Sequence, residues 1–230
     1  MQVAVLGAGT MGHGIAQVSA MAGHEVQLRD IERDIVDDGL DAIEANLAEG
    51  VEREKVTDAE KRETMARLSG TTSLQDAVEG ADLVVEAVPE DLDLKEETFT
   101  DVEAHAPEEA VIATNTSSLS VTAIASALDN PGRAVGLHFF NPVHIMALVE
   151  VVVAEQTDDE TLTFAREFVD GIDKTAVEVT DSPGFASSRL GVALGVEAMR
   201  MVEEGVAAPG DIDDAMELGY NHPMGPIELG

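Results

Sequence analysis

Three segments of this chain carry the residue types that oxidise an alcohol. They are Asn115-Thr116-Ser117-Ser118, His138-Phe139-Phe140-Asn141-Pro142 and Leu148-Val149-Glu150-Val151. Each falls on the C-terminal side of an expected strand, where open α/β sheets bind ligands. Hydride can leave an alcohol carbon only if a base takes the hydroxyl proton. Histidine titrates near neutral pH and suits that task, so His138 is the candidate base. A carboxylate beside it, here Glu150, would fix the imidazole tautomer and stabilise the imidazolium. The hydroxyl of Ser117 could hydrogen-bond the substrate oxygen. Spacing alone leaves a plain alternative for each. Glu150 reads equally as a surface residue on a strand edge, Ser117 as a cap for the next helix, and His138 as a satisfied core histidine.

A second constellation lies at the start of the chain. Gly7-Ala8-Gly9-Thr10-Met11-Gly12 is a G-x-G-x-x-G that follows an apolar strand and opens a helix. Gly7 permits the tight turn, Gly9 lets the backbone approach a pyrophosphate, and Gly12 lets helix and strand pack closely. Thr10 and Met11 complete the turn. The helix N-terminus then faces the phosphates with free N–H groups and the positive end of its dipole. Asp30 stands 18 residues after Gly12, at the end of the second strand. A carboxylate there accepts hydrogen bonds from ribose hydroxyls and repels a 2′-phosphate, so NAD is favoured over NADP. A flavin-binding or purely structural βαβ unit is the alternative.

These residues need a scaffold, and the hydrophobic pattern supplies one. Residues 2–6 and 25–29 read as strands around a helix at 12–22, with Gly23 as its C-cap. Residues 31–68 read as an antiparallel helical pair that breaks near Glu49–Gly50. Strands are expected at 70–72, 81–88, 110–115, 133–140, 147–154 and 175–180, with helices at 73–79, 91–105, 121–128 and 158–170. That alternation argues for a parallel α/β sheet. The fold expected is a Rossmann-like doubly wound sheet with the helical pair inserted after strand 2. Asp181-Ser182-Pro183-Gly184 is the strong linker signal. It divides a dinucleotide domain, 1–182, from a helices-only segment, 183–230, with helices near 185–204 and 211–218. The first of those carries Phe185, Leu190, Val192, Leu194, Val196, Met199 and Val202 around most of its circumference. With one short partner to cover them, an exposed apolar patch and association through 185–218 are expected.

Composition narrows the function classes. Hydrophobic residues make up 44% of 230, enough to build a core. Asp plus Glu number 46 against 13 Lys plus Arg, a net charge of -33. Lysine occurs only at Lys55, Lys61, Lys95 and Lys174. Such a charge repels itself unless salt screens it, and the Debye length falls to about 3 Å at 1 M salt. An acidic, lysine-poor surface therefore points to a high-salt cytoplasm. Nucleic acid is not expected as a partner: its phosphates would be repelled, and six Phe, one Tyr and no Trp leave little to stack on bases. No cysteine is present, so disulfides, thiolate metal sites and thiol nucleophiles are excluded. No apolar run approaches the roughly 20 residues of a membrane span, and the start MQVAVLG lacks the basic n-region and apolar h-region of a signal peptide. A cytoplasmic location is expected.

Gly136–Pro142 (GLHFFNP), Asn115–Ser120 (NTSSLS), Leu148–Val152 (LVEVV), Asp181–Phe185 (DSPGF) and His222–Pro226 (HPMGP) together resemble the L-3-hydroxyacyl-CoA dehydrogenases. The resemblance runs in order along the whole chain. It implies reversible, NAD-dependent oxidation of an (S)-3-hydroxyacyl-CoA to the 3-oxoacyl-CoA in fatty-acid metabolism. It implies His138 as general base and acid, Glu150 as its orienting group, and Ser117 as a contact to the substrate oxygen. Asn141 falls near the nicotinamide end, and Glu90 and Lys95 match residues that contact the cofactor. The helical pair would meet the CoA portion, with Arg53, and Lys55 beside it, toward the CoA phosphates. Two departures stand out. Ser188 occupies the place of a family asparagine that helps hold the substrate, and a water could fill the gap. The family also continues for several helical turns beyond Gly230, turns that complete the second domain and the homodimer interface. Two rival readings follow: a related sugar-acid (gulonate-type) dehydrogenase that works without CoA, and a truncated NAD-binding protein without catalysis.

Overall fold

The structure, a computed structural model, describes Met1–Leu229; Gly230, the last residue of the expected second domain, lies outside the described residues. The chain divides into two compact units, Met1–Asp181 and Ser182–Gly230.

The first unit is one sheet flanked by helices. Its strands are β1 (Gln2–Leu6), β2 (Glu25–Arg29), β3 (Leu68–Thr71), β4 (Leu83–Glu86), β5 (Val111–Thr114), β6 (Ala134–Phe139), β7 (Leu148–Val153) and β8 (Thr175–Thr180). They lie in the order β3-β2-β1-β4-β5-β6-β7-β8. Every residue of β4, β5 and β6 is buried, as expected for strands covered on both faces. β1 pairs with both β2 and β4, so the winding reverses there. A crevice at the C-terminal ends of those strands is where such sheets bind ligands.

The sheet is mixed, not wholly parallel. β6 and β7 run antiparallel, whereas β7 and β8 are parallel. Residues 140–147, which join β6 to β7, contain no helix. A parallel crossover needs about a dozen residues or more, so this short connection can only turn the chain back.

Helix α1 (Thr10–Met21) begins two residues earlier than the sequence pattern suggests, directly after Gly9. Gly23, just past the C-cap Ala22, adopts φ 92 and ends it. The helical pair is α2 (Arg33–Glu52) and α3 (Asp58–Ala66). Its break lies at residues 53–57, and Gly50 stays helical. The stop comes from Glu54, whose φ is 56, and the restart from a capping box between Thr57 and Glu60. One face of α2 buries Val36, Ile43 and Leu47. Four further α-helices, α4 (Leu74–Val78), α5 (Leu92–Glu103), α6 (Val121–Ala125) and α7 (Asp159–Gly171), and a 3₁₀ helix at Pro131–Arg133 complete the unit. The core includes Ile15, Leu28, Leu83, Leu137 and Phe168.

The second unit contains α8 (Ser187–Glu203) and α9 (Pro209–Tyr220). The segment after α9 is tied back by Glu217, which accepts the Gly225 N–H, and by Asp213, which accepts the Ile227 N–H. On α8, Leu190, Val192 and Met199 are 64%, 66% and 55% exposed, so the expected apolar surface is present. Among the described residues no helix is long and apolar enough to cross a membrane.

Candidate active site

The glycine turn is shaped by contact distances. Gly7 has φ 97, and a Cβ on it would sit 2.5 Å from the Ala87 carbonyl oxygen. A Cβ on Gly12 would sit 1.6 Å from the Gly7 carbonyl oxygen. Gly9 differs: a Cβ there would meet nothing within 4 Å. Gly7 therefore lets the turn meet the backbone just past β4, Gly12 lets α1 pack on the turn, and Gly9 faces open space. Gly9 is also the N-cap of α1 and gives it no side-chain cap. Thr10, Met11 and Gly12 thus open the helix with N–H groups that have no acceptor one turn earlier. Asp30 sits against this turn, accepting the Ala8 N–H at 2.8 Å and the Ile31 N–H at 2.7 Å. Each carboxylate oxygen retains a further lone pair for a ligand hydroxyl.

The candidate acid–base pair is built by the sheet. His138 on β6 and Glu150 on β7 are direct register partners, so their side chains share one face. His138 Nδ1 lies 2.8 Å from Glu150 Oε2. Both are buried, at 6% and 1% exposure. The carboxylate selects the tautomer with the proton on Nδ1, which makes Nε2 the nitrogen that could exchange a proton with a substrate. The Phe140 ring centroid lies 4.5 Å from that of the imidazole. Asn115 Oδ1 accepts the Phe139 N–H at 2.9 Å and fixes the strand end next to His138.

Ser117 lies on the exposed turn that follows β5. It is not the cap of α6; Ser120 is, accepting the Ala123 N–H. The turn closes around Glu90. Its Oε1 accepts from Thr116 Oγ1 at 2.6 Å, from the N–H groups of Ser117 and Ser118 at 3.0 Å, and from Ser118 Oγ at 3.0 Å. Burial would raise the Glu90 pKa. The Thr116 hydroxyl, the Ser117 N–H, the Ser118 hydroxyl and the Lys95 charge outweigh it and hold the carboxyl below its usual value.

Lys95 is 1% exposed. Its ammonium lies 2.6 Å from Glu86 Oε1, 3.2 Å from the Val88 carbonyl and 3.6 Å from Glu90 Oε2. Glu86, fully buried, also takes the Thr114 hydroxyl at 2.7 Å and the Val88 N–H at 2.8 Å. Glu86 and Thr114 escaped the sequence reading, and Asn115 entered it only as part of its segment, with no role of its own. One signal was available: a charged residue inside the apolar run LVVEAV, which demands a buried partner.

The remaining expected residues are placed as follows. Asn141 is exposed, two residues beyond the end of β6. Arg53 forms the C-cap of α2 and pairs with Glu49, 70% exposed. Ser188 is half-buried in the first turn of α8, in the second unit.

The model of the 3-hydroxyacyl-CoA dehydrogenase NAD binding domain matches residues 2–182, and that of the C-terminal domain matches residues 184–230. The chain belongs to the 3-hydroxyacyl-CoA dehydrogenase family. A 3-hydroxybutyryl-CoA dehydrogenase of Clostridioides difficile is 41% identical over 230 residues, which is 100% of this chain and 82% of that protein. The human mitochondrial hydroxyacyl-coenzyme A dehydrogenase is 41% identical over 232 residues, 99% of this chain and 74% of that one. The crystal structure of an (S)-3-hydroxybutyryl-CoA dehydrogenase from Ralstonia eutropha has a TM-score of 0.94 at 39% identity, covering 98% of this chain and 79% of that one.

This dehydrogenase carries the family's NAD binding domain, and its residues fit the dinucleotide. The open cradle at Gly9 and the uncapped start of α1 suit a pyrophosphate, and Asp30 beside them suits a ribose diol.

Proposed function

We propose that this dehydrogenase oxidises (S)-3-hydroxyacyl-CoA, such as 3-hydroxybutyryl-CoA, reversibly to the 3-oxoacyl-CoA within fatty-acid metabolism and β-oxidation. The observation that carries this reading is the 2.8 Å bond between His138 Nδ1 and Glu150 Oε2 in a buried setting. His138 takes the hydroxyl proton at Nε2 and returns it in the reverse direction. Glu150 holds the ring and offsets the charge of the imidazolium. Ser117 hydrogen-bonds the reacting oxygen from its turn. NAD supplies the hydride acceptor when bound. Gly7, Gly9, Thr10, Met11 and Gly12 cradle its pyrophosphate, Asp30 its adenosine ribose, and Asn141 lies toward the nicotinamide end.

Residues 1–182 serve as the NAD domain and 183–230 as the substrate and dimerisation segment. Ser188 contributes there to substrate placement. Arg53 pairs with CoA phosphates, exchanging Glu49 for them. The apolar residues exposed on α8 support a homodimer. The net charge of -33 supports a cytoplasm of high ionic strength.

The relatives' names favour an acyl-CoA over the sugar-acid alternative. The deciding experiment is NADH consumption with acetoacetyl-CoA in molar KCl. Turnover with acetoacetyl-CoA and none with L-gulonate and NAD+ supports the reading. No turnover of acetoacetyl-CoA by folded, NADH-binding protein overturns it and leaves a binding protein without catalysis.

A further inference from the structure

The two edges of β6 are not equally supported around His138. The ladder with β5 ends at the pair Thr114 and Gly136, two residues short of the histidine. On the other edge β6 stays paired with β7 through His138 and Phe139. β5 ends at Thr114, and the chain goes on as the turn 115–120. The Asn115 side chain takes over at the edge that β5 leaves. Its Oδ1 accepts the Phe139 N–H at 2.9 Å, where a longer β5 would have offered a backbone carbonyl. The Asn115 N–H in turn donates to the Glu86 carbonyl at 2.8 Å. The residue is thus fixed by β4 through its backbone and fixes β6 through its side chain.

The same turn has an anchor at its far end. Asp181 Oδ2 accepts the Ser120 hydroxyl and the Thr122 N–H, each at 2.8 Å. Burial would raise the Asp181 pKa, but the Thr122 N–H and the Ser120 hydroxyl outweigh it and hold the carboxyl below its usual value. The Asp181 N–H donates to the carbonyl of Val153, the last residue of β7, at 3.0 Å. Ser117 lies between the anchors, two residues after Asn115 and three before Ser120. Both anchors lead back to the acid–base pair. Asn115 leads to the strand of His138, and Asp181 to the strand of Glu150.

We propose that Asn115 and Asp181 are positioning residues that pin the two ends of the Ser117 turn to the strands of His138 and Glu150, so that the serine hydroxyl and the imidazole meet one substrate oxygen. This rests on the roles given to Ser117 and His138 above. Two groups can serve one oxygen only if their separation is held, and a misplacement of about 1 Å can lower a rate by roughly 100-fold. Ser117 is exposed on a turn, whereas His138 is buried in the sheet, so bonds between turn and sheet set that separation.

The test compares variants that remove each acceptor with variants that keep it. Asn115→Leu removes the oxygen, and Asn115→Asp keeps one at the same reach. Asp181→Ala and Asp181→Asn form the second pair. On the plateau of the pH profile, Asn115→Leu should lower kcat for acetoacetyl-CoA by roughly 10- to 100-fold, with KM and NADH affinity within about threefold of wild type. Amide exchange should quicken at Phe139 and Ser117. Asp181→Ala should lower kcat by about three- to tenfold, since its contact is farther from Ser117, and quicken exchange at Ser118. Asn115→Asp and Asp181→Asn should recover most of the rate. Asn115→Ser leaves room for a water on the Phe139 N–H; it should show a smaller loss and serves if the leucine variant does not fold. Folded Asn115→Leu or Asn115→Ser enzyme with wild-type kcat overturns the proposal. So does an equal loss in Asn115→Leu and Asn115→Asp, because the acceptor is then not what matters. A loss confined to NADH affinity overturns it as well and makes Asn115 a cofactor contact. Asp181→Ala with unchanged kcat and exchange overturns it for that end of the turn. Exchange and NADH affinity need no turnover. If wild type fails to reduce acetoacetyl-CoA yet only the acceptor-free variants loosen the turn, the reaction is misassigned and the anchors stand.

Discussion

Glu150 and His138 face each other as register partners on two antiparallel strands, 2.8 Å apart between Oε2 and Nδ1. The bond is set by backbone pairing and not by a loop, so it is present before any ligand arrives. Glu150→Gln keeps the shape but offers a neutral partner that can favour the wrong tautomer. We expect His138→Ala to lower kcat by roughly 10²–10⁴-fold and Glu150→Gln by about 10²-fold or more. NADH titration should give nearly wild-type affinity for both. A His138→Ala enzyme with normal turnover removes the imidazole from the mechanism.

The glycine turn separates stability from binding. At Gly12 an added Cβ would sit 1.6 Å from a backbone oxygen, so Gly12→Ala should cost about 3 kcal/mol or more, or not fold. At Gly9 nothing lies within 4 Å, so Gly9→Ala should melt like wild type and lose NADH affinity. Thermal melts and NADH titrations on both variants check this. A Gly9→Ala protein that binds NADH normally would show that the pyrophosphate does not use that cradle.

Asp30 has two jobs. It holds the Ala8 N–H at 2.8 Å, and it would meet a ribose diol. Asp30→Ala should shrink the ratio of kcat/KM for NAD+ over NADP+ by roughly tenfold, equivalent to about 1.4 kcal/mol. It should also weaken NADH binding, because the turn loses an anchor. Equal efficiency of the wild type with NADP+ would exclude the role of Asp30 in choosing the cofactor.

Self-repulsion from a charge of -33 acts over about 10 Å at 0.1 M salt and about 3 Å at 1 M. The thermal midpoint should climb across a KCl series, by roughly 10 °C if screening returns about 3 kcal/mol. Exposed i,i+4 pairs such as Arg33–Asp37 are too weak to reverse that trend. A flat series would mean that the carboxylates are spaced widely enough to tolerate dilute buffer.

The sequence carried the parts of this fold that local chemistry sets. The strand, glycine turn and helix at the start were legible because each residue of the motif has its own steric duty. Family membership was legible from GLHFFNP and its companion segments, read in order. Direction within the sheet was not. Apolar runs look alike in parallel and antiparallel strands, and only the helix-free connection at 140–147 distinguishes β7. The sequence reads as breaking the helical pair near Glu49–Gly50, whereas the break lies at residues 53–57. A glycine inside a helix costs only about 1 kcal/mol, whereas the capping box at Thr57 and Glu60 is a positive restart signal. Glu86 and Lys95 were invisible as partners because their pairing depends on how α5 folds back beside β4.

The reversal of β7 has a consequence for descent. With His138 and Glu150 on adjoining strands of the first unit, the proposed proton transfer lies in the same block of sequence as the glycine turn. Under the proposed division of labour, the helices beyond Asp181 can be exchanged or remodelled to alter what is oxidised while the chemistry is kept. Specificity in such a lineage should diverge faster than mechanism, and chimeras joined at the Asp181–Ser182 step are where that inheritance can be observed directly.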